Sequence, residues 1–130
     1  RKMFRDDVKS YRAKAEAIRH VETYKNCFAI AVCPSEGIDS PTVVASQAAN
    51  ELLNVDSIKA TFVLTDYQGK IYISARAIDE VNVQLIMEKM GGGGHINMAG
   101  AQLPGVSVEE GIRQLKNTID KMIKEGDIEV

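Results

Sequence analysis

The chain has 130 residues, 16 basic against 18 acidic, with 45% apolar and 26% charged residues, the make-up of one ordinary globular domain. That length buries about two-thirds of the unfolded surface and needs no staple, so a disordered tail, a collagenous chain and a disulfide scaffold are excluded, as is a membrane span, since no apolar run reaches about 18 residues. The formal net charge of −2 argues against a protein that grips duplex DNA by charge alone.

The start, Arg1-Lys2-Met3-Phe4-Arg5, leads into charged residues, so no secretory leader is expected. Without an initiator Met, a fragment of a longer protein is expected. From Arg1 to His20 there are seven basic and three acidic residues, a local +4 against −6 for the rest. In this segment Phe4, Val8, Tyr11, Ala15 and Ile18 repeat at 4, 3, 4, 3, one helical stripe. Such a stripe has to dock on its own domain, on another subunit or on a further domain. Next, Asn26 to Cys33 reads as a buried strand. Six residues of strand hold Cys27 and Cys33 about 20 Å apart, too far for a disulfide, so they are expected as buried thiols in a reducing, cytoplasmic setting. Ser40-Pro41 marks a helix start, Val44, Ala45, Ala48, Ala49, Leu52 and Leu53 its apolar face, and Asn54 a left-handed stop.

Two β-rich runs follow, Ile58 to Thr65 and Lys70 to Ala77, joined by Asp66-Tyr67-Gln68-Gly69 as a hairpin. In the second run Ile71, Ile73 and Ala75 share one face, and Tyr72, Ser74 and Arg76 the other. Val83, Ile86, Met87 and Met90 face one side of a further helix, which stops at Gly91-Gly92-Gly93-Gly94. Ala99 to Leu103 reads as a strand ended by Pro104-Gly105. Ser107 and Glu110 form a capping box before a last helix with Val108, Ile112, Leu115, Ile119 and Met122 inward. The order implies an α/β fold: a mixed sheet of about four strands with helices packed on it, preceded by an amphipathic lead-in helix.

The glycine run carries the clearest chemical signal. Gly91 can end the helix, which leaves Gly92, Gly93 and Gly94 without a capping duty. Side-chain-free residues in succession let backbone N–H groups converge on an anion, and His95 beside them can donate a hydrogen bond and adds charge when protonated. A phosphate or a carboxylate fits such a cradle; a tight connection between packed elements is the plainer reading. Arg76, within a strand, calls for a bidentate partner such as phosphate, or else forms a surface ion pair. The only histidines are His20 and His95, too few for the Asp and His clusters of metal-assisted phosphoester hydrolysis. No Walker loop, Gly-x-Ser-x-Gly or Cys-x-x-Cys is present.

Gly92-Gly93-Gly94-His95-Ile96-Asn97-Met98-Ala99-Gly100-Ala101 resembles the Gly-Gly-Gly-His-x-Asn-Ala-Ala-Gly signature of the DHHA1 domain of the DHH/DHHA1 phosphoesterase superfamily, with Met98 in place of the more usual Ala. Ile73-Ser74-Ala75-Arg76 looks like its Ser-x-Arg strand, and Ala48-Ala49-Asn50-Glu51-Leu52-Leu53 followed by Ala60-Thr61-Phe62-Val63-Leu64 extends the likeness. The four-glycine form Gly91-Gly92-Gly93-Gly94, with Val81-Asn82-Val83-Gln84 ahead of it and Ala101-Gln102-Leu103 behind, looks most like the membrane-anchored cyclic-di-AMP phosphodiesterases of the GdpP/YybT type.

That resemblance implies a substrate-binding half of a phosphodiesterase that hydrolyses cyclic di-AMP to the linear dinucleotide. Residues 1–22 would be a linker helix from a DHH domain outside this chain, and residues 23–130 the DHHA1-type domain. The DHH domain would hold two divalent metals, usually Mn²⁺, and this chain would hold no metal and no catalytic residue. By the same resemblance Gly92, Gly93, Gly94, His95 and Arg76 bind the substrate phosphate, with Ser74 and Asn97 in support. Ser46 and Asn50 lie on a helix face that could line the cleft. The chain alone is expected to be inactive and to bind dinucleotides weakly or undetectably. Expected partners are a cyclic dinucleotide or short oligonucleotide and the DHH domain of the same protein, with a homodimer possible through the first helix. No direct membrane contact is expected; the parent would be membrane-anchored, with this domain on the cytoplasmic side. The alternatives are a DHH-family hydrolase of short RNA or nucleoside bisphosphates, or a non-catalytic nucleic-acid-binding module.

Overall fold

The computed structural model describes residues 7–78 and 80–130. In chain order it has helix α1 (Val8–Arg19), strands β1 (Glu22–Tyr24) and β2 (Phe28–Val32), helix α2 (Pro41–Leu52), strands β3 (Ala60–Tyr67) and β4 (Lys70–Ala77), helix α3 (Val83–Lys89), strands β5 (Gly93–Gly94) and β6 (Met98–Pro104), and helix α4 (Val108–Lys124). The strands form one mixed sheet ordered β1-β2-β3-β4-β6-β5, with β2 and β3 parallel and the other pairings antiparallel.

The α/β class and the lead-in helix are as the sequence implies, but the sheet has six strands, not about four. The two additional strands are short and lie at the edges. β1 has three residues and enters β2 through a turn in which Lys25 and Asn26 have φ of 54° and 65°. Asn tolerates that conformation, but Lys before it is no turn signal. β5 consists of two glycines, a residue depleted in strands.

Strand alternation sets the layers. Phe28, Ile30, Phe62, Leu64, Ile71 and Ile73 point to one face, where α3 (Val83, Ile86, Met87) and α4 (Leu115, Ile119, Met122) cover them. Ala29, Ala31 and Val63 point to the other, under Val44, Ala45, Ala48 and Ala49 of α2. Two buried threonines on that face are satisfied by carbonyls: Thr61 donates to Ala49 at 2.9 Å and Thr65 to Cys33 at 2.8 Å. β3, covered on both faces, is buried over its first six residues, as expected of a doubly covered strand. α2 packs on β3 and β4. Beyond them β6 alternates between exposed and buried residues, because α3 and α4 cover only its other face.

The lead-in helix docks with a face that periodicity did not single out. Val8 and Tyr11 of the large-residue stripe are 63% and 64% exposed, and Phe4 lies outside the described residues. The buried positions are Ala13 and Ala17, whose small side chains let α1 lie close to α2 and β2. The Cys33 thiol donates to the Ala13 carbonyl at 3.8 Å.

Side-chain caps fix three helix starts: Asp7 accepts from the Ser10 amide, Asn82 from Leu85 and Ser107 from Glu110. The capping box at Ser107 is only half formed, since the Glu110 carboxylate turns to Gln114 and Arg113. Ser40 precedes Pro41 as expected but makes no side-chain cap. The left-handed residue after α2 is Ser57, not Asn54. Cys27 and Cys33 are free and buried, and burial pushes the Cys33 thiol up to about 11.

Candidate anion-binding cleft

The uncovered sheet face creates a cleft. Along β4 the outward residues are Lys70, Tyr72, Ser74 and Arg76, two apart, opposite Pro104, Gln102, Gly100 and Met98 of β6. α2 supplies one wall with Thr42, Ser46 and Asn50, four apart and hence on one helical face. The glycine run supplies the other wall. The cavity between them has a volume of about 560 Å³ and is lined by Thr42, Lys70, Tyr72, Ser74, Gly91, Gly92, Gly93, Gly100 and Gln102, among others.

Of the residues expected in the site, Ser74, Gly92 and Gly93 line this cavity. The Ser74 hydroxyl lies 3.0 Å from that of Ser46, so helix and strand are tied at mid-cleft. Arg76 stands two residues further along the same strand face. Its Nε donates to Asn50 Oδ1 and its Nη1 to the Ala75 carbonyl, both at 2.9 Å. Both acceptors are neutral, and among the described residues no carboxylate pairs with it. Burial pulls the half-buried guanidinium below the usual arginine range. The side chain is therefore oriented but not neutralised, with donors left for an anion.

The glycines divide their duties. Gly91, with φ of 88°, donates to the Glu88 carbonyl, and Gly92 donates to Met87 at 2.8 Å. That is a Schellman cap, so the Gly92 amide has a capping duty after all. Gly92 is also a packing glycine: a Cβ there would lie 2.0 Å from the Gly100 carbonyl oxygen. Gly94 (φ 143°) is as confined, 2.5 Å from Ala99 Cα, whereas a Cβ on Gly93 would meet nothing within 4 Å. The His95 amide donates to Met98 at 2.7 Å. With the amides of Gly91, Gly92 and His95 taken, the run offers close approach to backbone at Gly93 more than a ring of free donors.

His95 and Met98 bond reciprocally through their backbones, placing Ile96 and Asn97 at the tip of the β5–β6 hairpin. The His95 ring is exposed and has no partner among the described residues. Asn97 fastens the hairpin to the end of β4: its side chain donates to the Ala77 carbonyl at 3.0 Å, and its carbonyl accepts from the Ala77 amide. Because Met98 is the register partner of Arg76, the tip carrying His95 and Asn97 sits at the Arg76 end. Neither Arg76 nor His95 lines the cavity itself. Thr42, Lys70 and Gln102 also line the cavity, and no sequence motif marks them as site residues. Extending the alternation of Tyr72, Ser74 and Arg76 by two residues reaches Lys70, and stepping four back from Ser46 reaches Thr42.

Among the described residues no three His, Cys, Asp or Glu side chains come together as metal ligands, and no helix is long and apolar enough to cross a membrane. Residues 25–125 match the family model for the DHHA1 domain. The chain is 39% identical over 127 residues to the cyclic-di-AMP phosphodiesterase GdpP of Bacillus subtilis, covering 96% of this chain and 19% of that protein. It is 38% identical over 117 residues to the cyclic-di-AMP phosphodiesterase PdeA of Listeria monocytogenes, covering 89% and 18%. It thus spans about a fifth of the length of these curated relatives. Among solved structures it resembles an exopolyphosphatase-related protein from Bacteroides fragilis, with a TM-score of 0.80 at 17% identity over 91% of this chain and 36% of that one. It also resembles the C-Ala domain of Aquifex aeolicus alanyl-tRNA synthetase, with a TM-score of 0.56 at 17% identity over 75% and 96%. At such identities these two likenesses concern the fold alone.

Proposed function

The chain belongs to the DHHA1 domain family, and from that membership we propose that it is the substrate-binding half of a phosphodiesterase acting on cyclic di-AMP. Relatives at 36–39% identity are named for that activity. The observation that carries the reading is Arg76: a half-buried guanidinium, aimed by Asn50 and Ala75, with no carboxylate partner among the described residues. In this reading Arg76 and His95 hold a substrate phosphate at the hairpin end, Gly93 lets it approach the backbone, and Ser74 and Asn97 keep β4 and the hairpin in place.

Among the described residues no three His, Cys, Asp or Glu side chains come together as metal ligands, and in this reading the two divalent metals, with Mn²⁺ as the natural candidate, belong to a DHH domain preceding α1. α1 then leads in from that domain, on the cytoplasmic side of a membrane-anchored parent. This chain binds and orients the diester and performs no bond-breaking step alone.

In the intact protein, Arg76→Ala and His95→Ala are each expected to lower kcat/KM for cyclic di-AMP by about tenfold or more, as loss of a charge-assisted phosphate contact does. An unchanged rate removes that residue from the site. Faster turnover of a short RNA than of cyclic di-AMP would move the substrate class.

A further inference from the structure

The cleft is longer than a phosphate site requires. From Arg76 to Lys70 it follows six residue steps of β4, about 20 Å at 3.3 Å per step. The phosphate reading occupies one end. At the other end the same strand face carries an aromatic ring and an ammonium group. Tyr72 is half-buried, and its ring rests against that of Tyr67, with centroids 6.1 Å apart at 50°. Lys70 Nζ donates to Gln102 Oε1 at 3.2 Å and has no carboxylate partner among the described residues. Gln102 stands directly across from Tyr72 on β6. The sheet floor beside them is open because Gly100 has no side chain. Its confinement has a separate cause, since a Cβ there would lie 2.8 Å from the Ile73 carbonyl oxygen.

We infer that the Lys70–Tyr72–Gln102 end of the cleft is a nucleobase subsite, so that the chain takes a dinucleotide lengthwise, with one phosphate at Arg76 and the far nucleoside on Tyr72. The proposal rests on the phosphate reading of the Arg76 end and adds the second half of the ligand. Tyr72 supplies a π face already braced by Tyr67, so little ordering is needed on binding. The Gln102 amide, steadied by Lys70, faces the edge of a stacked base, where Gln can both donate and accept. Lys70 adds positive charge where a second phosphate or a ribose hydroxyl would come. A mononucleotide bound at Arg76 leaves this end empty.

The test is amide-resolved NMR of this chain titrated to millimolar concentration with three probes: inorganic phosphate, adenosine 5′-monophosphate and linear 5′-phosphorylated diadenylate. The expected result is that all three shift Gly93 and Arg76, while only the dinucleotide also shifts Tyr72 and Gln102. Tyr72→Ala should weaken the dinucleotide about tenfold, as loss of base–aromatic stacking does, and leave the mononucleotide unchanged, while Tyr72→Phe retains dinucleotide binding. Identical shift patterns for mononucleotide and dinucleotide overturn the subsite, as do no shifts at Tyr72 and Gln102 with any probe or equal weakening of both ligands by Tyr72→Ala. Shifts at Gly93 and Arg76 in those cases leave the phosphate reading standing; their absence both here and in the chain joined to the DHH domain of its own protein removes it as well.

Discussion

Among the residues, the four consecutive glycines show how one signal divides into separate duties. Gly91 turns the chain, Gly92 and Gly94 make room for β6, and Gly93 faces open space. Gly92→Ala is expected to destabilise the domain by about 2 kcal/mol or more, since the new methyl meets backbone that cannot turn aside. Gly93→Ala should melt within a few degrees of the parent and bind phosphate esters more weakly. Thermal melts and titrations on the two variants separate fold from ligand access. The sequence marks the run as special but cannot apportion its roles, because each depends on what β6 places opposite. Tyr24 behaves differently: its hydroxyl donates to Asp120 at 2.6 Å, and burial, then that bond, push its pKa from the usual 10.0 up to about 12. The neutral phenol is favoured in the folded chain, so its stabilisation is full below pH 10 and is lost as pH rises through about 12. Tyr24→Phe should remove that part of the alkaline decline, read by urea unfolding at intervals across that range.

At the scale of elements, long runs with a clear period were legible and short edge pieces were not. α4 and the β3–β4 hairpin declare themselves by alternation and by Gln68-Gly69, both with positive φ. β1 and β5 depend on pairing partners that no local pattern announces. α1 was legible as a helix, but its packing face was not, since large apolar residues outweigh alanines in any periodic reading. The structure buries Ala13 and Ala17 and leaves Tyr11 outside. Ala17→Leu should therefore cost about 1–3 kcal/mol by overpacking, while Tyr11→Ser should stay within about 0.5 kcal/mol, as denaturant unfolding of both would show. On its other side, α1 borders a groove of about 330 Å³ lined by Tyr11, Ala15 and the half-buried Ile18, among others, the face that the proposed function would turn toward a DHH domain.

Over the whole molecule, the site exists because two helix layers cover the sheet unequally. α3 and α4 cover one face, whereas α2 stops at β4 on the other, and the uncovered strip becomes a cleft with a cationic residue at each end, Lys70 and Arg76. A net charge of −2 says nothing of that local arrangement. The family was legible because the glycine–histidine run and the Ser-x-Arg strand carry it. The length of the cleft was not legible, because it needs β4, β6 and α2 side by side. The proposed function is a division of labour in which this chain would bind the diester and a DHH domain would supply the metals. The most direct measurement is hydrolysis of cyclic di-AMP with Mn²⁺ by this chain alone and by the chain joined to the DHH domain of its own protein. No turnover is expected from the chain alone and turnover when the two are joined; metal-dependent hydrolysis by the chain alone would overturn that division.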